Sequence, residues 1–512
     1  MSDFLFSLLS YYQISLKQLE IRKKQKDYKD LKTPYNLPDF LNVVDRIIRA
    51  EREKEKVVIY GDYDFDGLSS TAIMKRCLDY LNVKSGFYIP SRYKEGYGLN
   101  KSRIDDFKKK DYNLIITVDN GISLKEEIEY ANSLNMDVIV IDHHLSSSRI
   151  EGNFFHQIYS DFLSYNCSAA SLAFFISSYI RGEFDNYDAL LAGLAVFSDV
   201  MPLVGNNLVL ANIAKENINS DCGRNLKLLF SSSYYDFDSL SFNIIPVINS
   251  VGRVKEDVIS NNNACRFLID DSDSEKNKKY ASFLLSCNEK KKEMIRNFQV
   301  IDELENEYVD VIISSSLTGL NGLYANQLCS KKDKCTAVFS KKEDDDSLFV
   351  GSLRAVNPIS LEDFIYNPKK YFISSGGHKN AMGLTIEKKD FFQFASDYSL
   401  LVSRFEREEK KCIEITLDDL TLKNLDILKD FEPFSEGFPR PLFKVSVLGK
   451  DIKKYSEKYS LAMSLNHEGK VSFFGDIKDI ESDEIYNFYG EGKEEFYSGR
   501  RYFVISSRSY II

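Results

Sequence analysis

Three aspartates at alternate positions follow an apolar run in Val57-Val58-Ile59-Tyr60-Gly61-Asp62-Tyr63-Asp64-Phe65-Asp66-Gly67. Val57 to Tyr60 is uncharged, largely β-branched and closed by Gly61, which predicts a short, fully buried strand. The residues after Gly67, with Ser69, Ser70 and Thr71 leading into Ala72, Ile73 and Met74, predict a helix. The aspartates therefore fall where a central strand ends and a helix begins, the edge at which open α/β sheets bind ligands. Carboxylates packed this closely repel one another, and a divalent cation among them is the natural remedy. Asp-x-Asp-x-Asp-Gly also opens an EF-hand loop. Here the twelfth loop position is Ile73 where a bidentate Glu is needed, and the preceding segment is a strand rather than a helix, so the calcium loop is discarded. A plain acidic turn in water fits poorly behind so apolar a strand.

The chain of 512 residues has room for about three domains. It contains no apolar run long enough to span a membrane, and Met1 to Leu9 lacks the basic start and cleavage site of a signal peptide. Eight scattered cysteines without a Cys-x-x-Cys pair read as reduced thiols of a cytoplasmic protein. A net charge of −10 argues against a surface that grips nucleic acid everywhere, while leaving room for a basic groove. The few histidines, His143, His144, His156, His378 and His467, make their placement informative.

Residues 1–56 read as a polar, helical cap with an amphipathic face at Val43, Val44, Ile47 and Ile48. From Val57 onward strand and helix alternate. Leu114 to Val118 predicts a second buried strand ending in Asp119-Asn120-Gly121, and a helix is expected over Leu124 to Asn135. Val138 to Ile141 predicts a third strand, ending in Asp142-His143-His144. This is the rhythm of a doubly wound parallel sheet, whose strand ends converge on one side, so Asp64, Asp66, Asp119 and His143 can share one site. Read singly, Asp119-Asn120-Gly121 is a turn and Asp142-His143-His144 a helix cap; three successive strand ends carrying Asp or His are harder to assign to chance. The Arg92 to Leu99 loop, basic and aromatic with two glycines, serves equally as a phosphate contact or a surface turn.

Residues 165–215 predict helices. The apolar stretch Ala189 to Phe197 ends in Asp199, a costly terminus for a buried helix unless the carboxylate is paired or metal-bound. The apolar Ile244 to Ile248 leads to Asn249-Ser250-Val251-Gly252-Arg253, where Arg253 is placed for a phosphate or, equally, a surface ion pair. Glu275 to Glu305 predicts one long helix, a strut between domains. A second α/β region over 306–411 carries Gly351-Ser352-Leu353-Arg354 and Ser375-Gly376-Gly377-His378. There a glycine pair lets backbone approach a ligand and His378 with Arg354 can hold a phosphate, unless Gly-Gly is merely a tight turn. Residues 412–512 predict a small β domain, plausibly a barrel.

In order, Asp62-Tyr63-Asp64-Phe65-Asp66-Gly67, Val118-Asp119-Asn120-Gly121, Asp142-His143-His144 and Ser198-Asp199 resemble motifs I to IV of the DHH phosphoesterase superfamily. Asn249-Ser250-Val251-Gly252-Arg253 resembles an element of its RecJ-type exonucleases, Gly376-Gly377-His378 the signature of the associated DHHA1 domain, and Pro433 to Pro441 the entry to the RecJ OB domain. The resemblance runs from about residue 50 onward. It implies an α/β protein: a parallel-sheet DHH catalytic domain over 57–274, a connecting helix over 275–305, a smaller α/β DHHA1 domain over 306–411 and an OB-like β-barrel over 412–512. It further implies two Mn²⁺ or Mg²⁺ ions held by Asp64, Asp66, Asp119, His143 and Asp199, with Asp119 bridging. Asp62 is then a ligand or a partner of the ligands, Asp142 orients His143, and His144 contacts the scissile phosphate or protonates the leaving oxygen. Substrate contacts fall to Asn249, Arg253, Ser352, Arg354, Gly376, Gly377 and His378.

The implied activity is 5′→3′ hydrolysis of single-stranded DNA to 5′-mononucleotides in repair and recombination. The implied protein is a cytoplasmic monomer, off the membrane, with a helicase or single-strand-binding protein as partner. The alternatives are a DHH phosphodiesterase on nanoRNA, pAp or cyclic dinucleotides, and a catalytically inactive replication scaffold. The chain departs from the family pattern at Leu317 and Gln327, where His and Arg are usual, at Ser435 and Phe438, which replace Gly and Asn, and at Leu208, where an Arg is common.

Overall fold

The computed structural model describes residues 2–91, 98–145, 150–254, 258–342, 345–356, 359–405, 411–475, 477 and 480–511. Most of the Arg92 to Leu99 loop lies outside the described residues. The chain divides into two units, one made of Pro34–Asp199 and Asn217–Glu408, the other of Met1–Thr33, Val200–Glu216 and Glu409–Ile512.

The first unit holds two sheets. One consists of β1 (Val57–Tyr60), β2 (Ser85–Tyr88), β3 (Leu114–Val118), β4 (Asp137–Ile141) and β5 (Asn153–Phe155), all parallel, in the order β2-β1-β3-β4-β5. β1 and β3 are buried along their whole length, as uncharged β-branched runs in a sheet covered on both faces should be. The chain leaves β1 toward β2 on one side and returns to β3 on the other. The strand order thus reverses between β1 and β3, and a crevice opens at their carboxyl ends. β2 and β5 were not legible as strands; β2 is only half-buried and β5 is three residues long. The helix after β1 spans Phe65–Tyr80 and starts ahead of the expected position, because Asp64 caps it by accepting a hydrogen bond from the Gly67 N–H at 3.2 Å.

The expected 275–305 strut is shorter. The helix spans Glu275–Arg296 and is capped at Asn297, and Val300–Glu305 forms a strand, β6. Its Asp, Glu and Leu residues have high helical or low strand preference, but backbone pairing with the next strand overrides it. β6 opens a mixed sheet with β7 (Val309–Ser314), β8 (Cys335–Lys342), β9 (Asp345–Arg354), β10 (Phe372–His378) and β11 (Ala381–Glu387), in the order β10-β11-β9-β8-β7-β6. As an edge strand β6 is largely exposed, and its acidic side chains suit that place. Gly376 and Gly377 lie within β10, paired to Gly383 and Met382, so they are strand residues rather than the turn itself.

The second unit is built on a mixed sheet of seven strands: β12 (Ile413–Thr416), β13 (Leu442–Leu448), β14 (Ile452–Ser456), β15 (Tyr459–Met463), β16 (Gly469–Phe473), β17 (Ile485–Tyr497) and β18 (Arg500–Ile511). The order is β12-β13-β17-β18-β16-β15-β14, and closure of β12 on β14 is not among the described pairings. The N-terminal residues correct the picture of a single cap over 1–56. The Pro38–Arg52 helix belongs with the parallel sheet, where buried Arg46 pairs with Glu55 and Asp137, each at 2.7 Å. The Asp3–Tyr12 and Leu16–Lys24 helices instead complete the core of the C-terminal sheet. Phe4 stacks on Phe443 at 5.8 Å and meets Phe503 edge-on at 6.2 Å. Phe438, one of the departures from the family pattern, is held between the Tyr12 ring at 4.0 Å and the Arg22 guanidinium at 3.9 Å. Phe4→Ala should cost about 3 kcal/mol, read as a lower urea midpoint of the full chain. An unchanged midpoint would place this helix outside the C-terminal core.

Candidate metal centre

The strand ends converge as the topology requires. Asp62 follows β1 and is buried, and Asp66 sits fully buried in the first turn of the Phe65–Tyr80 helix. Gly67 allows this packing, since a Cβ there would lie 2.6 Å from the backbone nitrogen of Asp62. The Asp66 carboxylate accepts hydrogen bonds from the N–H groups of Ala169 and Ala170, at 2.7 and 2.8 Å, at the N-terminus of the Ala169–Arg181 helix. Asp119 follows β3 in a left-handed conformation (φ 61°), which Asp tolerates better than most residues. Asp199 caps the buried Asn186–Ser198 helix.

His143 Nε2 lies 3.1 Å from Asp119 Oδ1, 3.3 Å from Asp199 Oδ2 and 3.6 Å from Asp66 Oδ2. One ring nitrogen carries at most one proton, so hydrogen bonding satisfies one of these carboxylates at most. Three oxygens and a nitrogen converging in this way are the arrangement of a cation's ligand shell. Ligand atoms of Asp66, His143 and Asp199 lie within 4.8 Å of one another, as do those of Asp62, Asp64 and Asp119. Asp119 adjoins both groups. An oxygen-rich set with one imidazole suits Mg²⁺ or Mn²⁺.

Electrostatics point the same way. Burial, with repulsion from Asp199 and Asp64, pushes the Asp66 carboxyl well above the usual range; burial, with repulsion from Asp66 and Asp64, does the same to Asp119. Burial and the Asp64 charge push Asp199 up to about 7, although His144 pulls it down. Burial and the His144 charge lower His143 to about 3, leaving a neutral imidazole fit for a metal. Burial alone would raise Asp142, but the hydrogen bond and charge of His144 outweigh it and hold the carboxylate ionised. Burial works against the charge on His144 too, yet the 2.8 Å bond from its Nδ1 to Asp142 Oδ1 lifts it to about 9. His144 is therefore a half-exposed cation at the rim of the site. Asp142 thus serves His144 directly. It touches His143 only through the backbone N–H, at 2.7 Å, so the expected side-chain link to His143 is not among the described hydrogen bonds.

Beside the cluster lies a cavity of about 260 Å³ lined by Asp62, Tyr63, Asp64, Asp119, His144, Asp199, Asn249, Gly252 and Arg253. The Asn249–Arg253 segment packs directly on the aspartate loop: a Cβ on Gly252 would sit 3.0 Å from the Tyr63 carbonyl oxygen. A residue the sequence did not single out, Lys291 on the Glu275–Arg296 helix, supports this segment by donating to the Pro246 carbonyl at 2.9 Å. Burial and the nearby Arg253 charge lower Lys291 to about 8. Its place in a lysine-rich run concealed it.

Residues 56–196 match the model of the DHH family, N-terminal domain. The chain is 25% identical over 476 residues to the single-stranded-DNA-specific exonuclease RecJ of Bacillus subtilis, covering 88% of this chain and 59% of that one. It is 25% identical over 449 residues to Escherichia coli RecJ, covering 78% of this chain and 76% of that one. The crystal structure of Thermus thermophilus RecJ in complex with Mn²⁺ superposes with a TM-score of 0.79 at 20% identity, over 98% of this chain and 78% of that one. Residues 56–196 are thus similar to the DHH family's N-terminal domain, and the fold is similar to that of the Thermus thermophilus RecJ.

Of the other residues singled out in the sequence, Ser352 and Arg354 lie on β9, two strands from Gly376 and His378. The pairing sets Ser352, Gly383 and Gly376 in one row, and Arg354, Ala381 and His378 in another. The side chain of His378 lies outside the described residues. The Arg354 guanidinium lies against Gly322, where a Cβ would come 2.9 Å from it. Gly322 is in the Asn321–Lys332 helix, which also carries the exposed Gln327 that departs from the family pattern. The Thr318–Leu320 turn before that helix packs against the Val251–Arg253 turn, linking this sheet to the cavity.

Asp199, raised to about 7, holds a proton in the folded chain that the unfolded chain has already lost. Its ionisation therefore opposes folding as pH rises from about 4 to about 7. Metal-free protein should lose thermal stability as pH rises from about 4 to about 7 and level off above that. Asp199→Asn should flatten that loss and weaken the stabilisation gained on adding Mn²⁺; a variant with the parental pH profile would remove Asp199 from the cluster.

Proposed function

We propose that this protein is a metal-dependent exonuclease that hydrolyses single-stranded DNA from its 5′ end to 5′-mononucleotides. The observation that carries the proposal is the convergence of Asp66, Asp119, Asp199 and His143 beside a cavity whose rim bears His144 and Arg253. The chain spans 59% of the length of its Bacillus subtilis relative, so the activity is inferred from the site rather than transferred whole.

Asp64, Asp66, Asp119, His143 and Asp199 would hold two Mn²⁺ or Mg²⁺ ions, with Asp62 as ligand or support. When bound, these ions supply a water of lowered pKa and neutralise charge on the phosphate oxygens. The chain's own groups do the rest. Arg253 and Asn249, facing the same cavity, orient the scissile phosphate. Water adds its oxygen to phosphorus as the bond to the 3′ oxygen of the terminal nucleotide breaks. His144, kept protonated by Asp142, passes its proton to that leaving oxygen. The remaining strand keeps a 5′ phosphate, and Ser352, Arg354 and the Gly376-Gly377 backbone, neighbours across β9, β11 and β10, are the groups we assign to it, together with His378. On the C-terminal sheet, taken as an OB-like module over 412–512, the Tyr459 ring lies 5.9 Å from that of Tyr455 and 5.2 Å from that of Phe474, with Lys453, Lys454 and Lys458 nearby in sequence. Tyr455 and Phe474 are more than half exposed, which suits a stacking platform for bases. A cytoplasmic repair enzyme that receives strands from a helicase or a single-strand-binding protein is the cellular setting this activity fits.

Purified protein with Mn²⁺ and end-labelled oligonucleotides tests the reading. Single strands should release labelled mononucleotide from the 5′ end while blunt duplex stays intact; no release from either end overturns it. Asp119→Ala should reduce cleavage by at least about a thousandfold, an effect of transition-state size, while leaving strand binding by fluorescence anisotropy largely intact. Arg354→Ala should raise the Kd for a 5′-phosphorylated strand about tenfold, the scale of one charged hydrogen bond, without changing Mn²⁺ affinity. Equal affinities for the strand in parent and variant would remove Arg354 from the phosphate site.

A further inference from the structure

We infer that His156 and Gln157 are positioning residues that set the orientation of the His143 and His144 rings, and through them the affinity of the centre for its cation; the inference rests on the metal-site reading above. The register brings them there. β5 pairs with β4 so that Phe155 opposes Ile141, and the next residue along each strand is His156 and Asp142. Both His156 and Gln157 are fully buried.

Gln157 Nε2 donates to the His143 carbonyl at 2.9 Å, and His156 Nε2 lies 3.0 Å from the His144 carbonyl. The His156 tautomer follows from its other nitrogen. Nδ1 accepts from the N–H groups of Ile158 at 3.1 Å and Tyr159 at 3.2 Å, so it carries no proton, and Nε2 must be the donor. The His156 ring also stacks on Tyr159 at 4.1 Å. The Oε1 of Gln157 accepts no hydrogen bond among the described residues.

The peptide plane between His143 and His144 is thereby held at both edges. Its N–H donates to Asp142 Oδ1 at 3.2 Å and its C=O accepts from Gln157. The following C=O is held by His156. A clamped plane between two residues fixes the angle at which their side chains leave the backbone, and the two rings stand 4.3 Å apart at 49°. One ring faces the carboxylate cluster and the other faces the cavity rim. Loss of either clamp would let the pair turn together. Outer-shell groups that orient metal ligands typically affect affinity by about 10–100-fold.

The test is Mn²⁺ binding by the metal-free full chain, with free Mn²⁺ followed by electron paramagnetic resonance and melting temperature measured alongside. Gln157→Met keeps the volume and removes the donor; it should raise the Mn²⁺ Kd by about 10–100-fold while melting near the parent. His156→Ala should do likewise, and His156→Gln, whose amide nitrogen reaches as far as Nε2, should recover most of the loss. Should His156→Ala fail to fold, Gln157→Met decides alone. Parental Mn²⁺ affinity in folded Gln157→Met overturns the inference. A parent chain that binds no Mn²⁺ overturns the metal-site reading, and this inference with it.

Discussion

Mutual repulsion among buried carboxylates is the constraint on which the rest of this molecule depends. Asp66 and Asp119 are buried and Asp199 lies half-buried beside them, and each carboxyl is pushed upward by burial and by its neighbours. Such a cluster is tolerable only if the backbone that carries it is held from elsewhere. The parallel sheet supplies that hold: β1, β3 and β4 are fully or almost fully buried, and their hydrogen-bond ladders leave the strand ends little freedom to spread. The N-terminus of the Ala169–Arg181 helix contributes two N–H groups to Asp66, a partial positive charge where no basic side chain is needed. The fold thus opposes the repulsion with backbone groups and leaves the side-chain oxygens for a cation.

The two histidines of the Asp142-His143-His144 turn have opposite tasks, set by where each ring lies. His143 is buried among oxygens and is neutral; His144 is half exposed, leans on Asp142 and is charged. One turn therefore presents a neutral imidazole and a charged one side by side. The division follows from Asp142 Oδ1, which collects the N–H of both residues and Nδ1 of the second ring only.

The parallel sheet that carries the candidate site was legible in the sequence because its signals were local and repeated. Each strand that ends in a functional residue is a short apolar run closed by Gly or Asp, and the structure places β1 and β3 at the expected residues and β4 one residue earlier. Other features depended on tertiary context. β6 is rich in acidic residues and looked helical; it is a strand because β7 offers a partner. Lys291 sits among other lysines, and only packing reveals it as the one beneath Pro246. His156 and Gln157 carry no motif, and their relevance comes from the register between β4 and β5. The N-terminal helices look like any polar amphipathic segments, and nothing local ties Phe4 to Phe443.

That last contact has a consequence for synthesis. The C-terminal sheet draws its core from the first helices of the chain and from the strands and helix after residue 412. On the ribosome the first helices emerge long before the strands that will cover them, with apolar residues such as Phe4, Leu8 and Leu19 awaiting partners. The parallel sheet and its helices, translated in between, can close around their own core first. The joining of segments so distant in sequence carries a loop-closure entropy that a contiguous domain avoids.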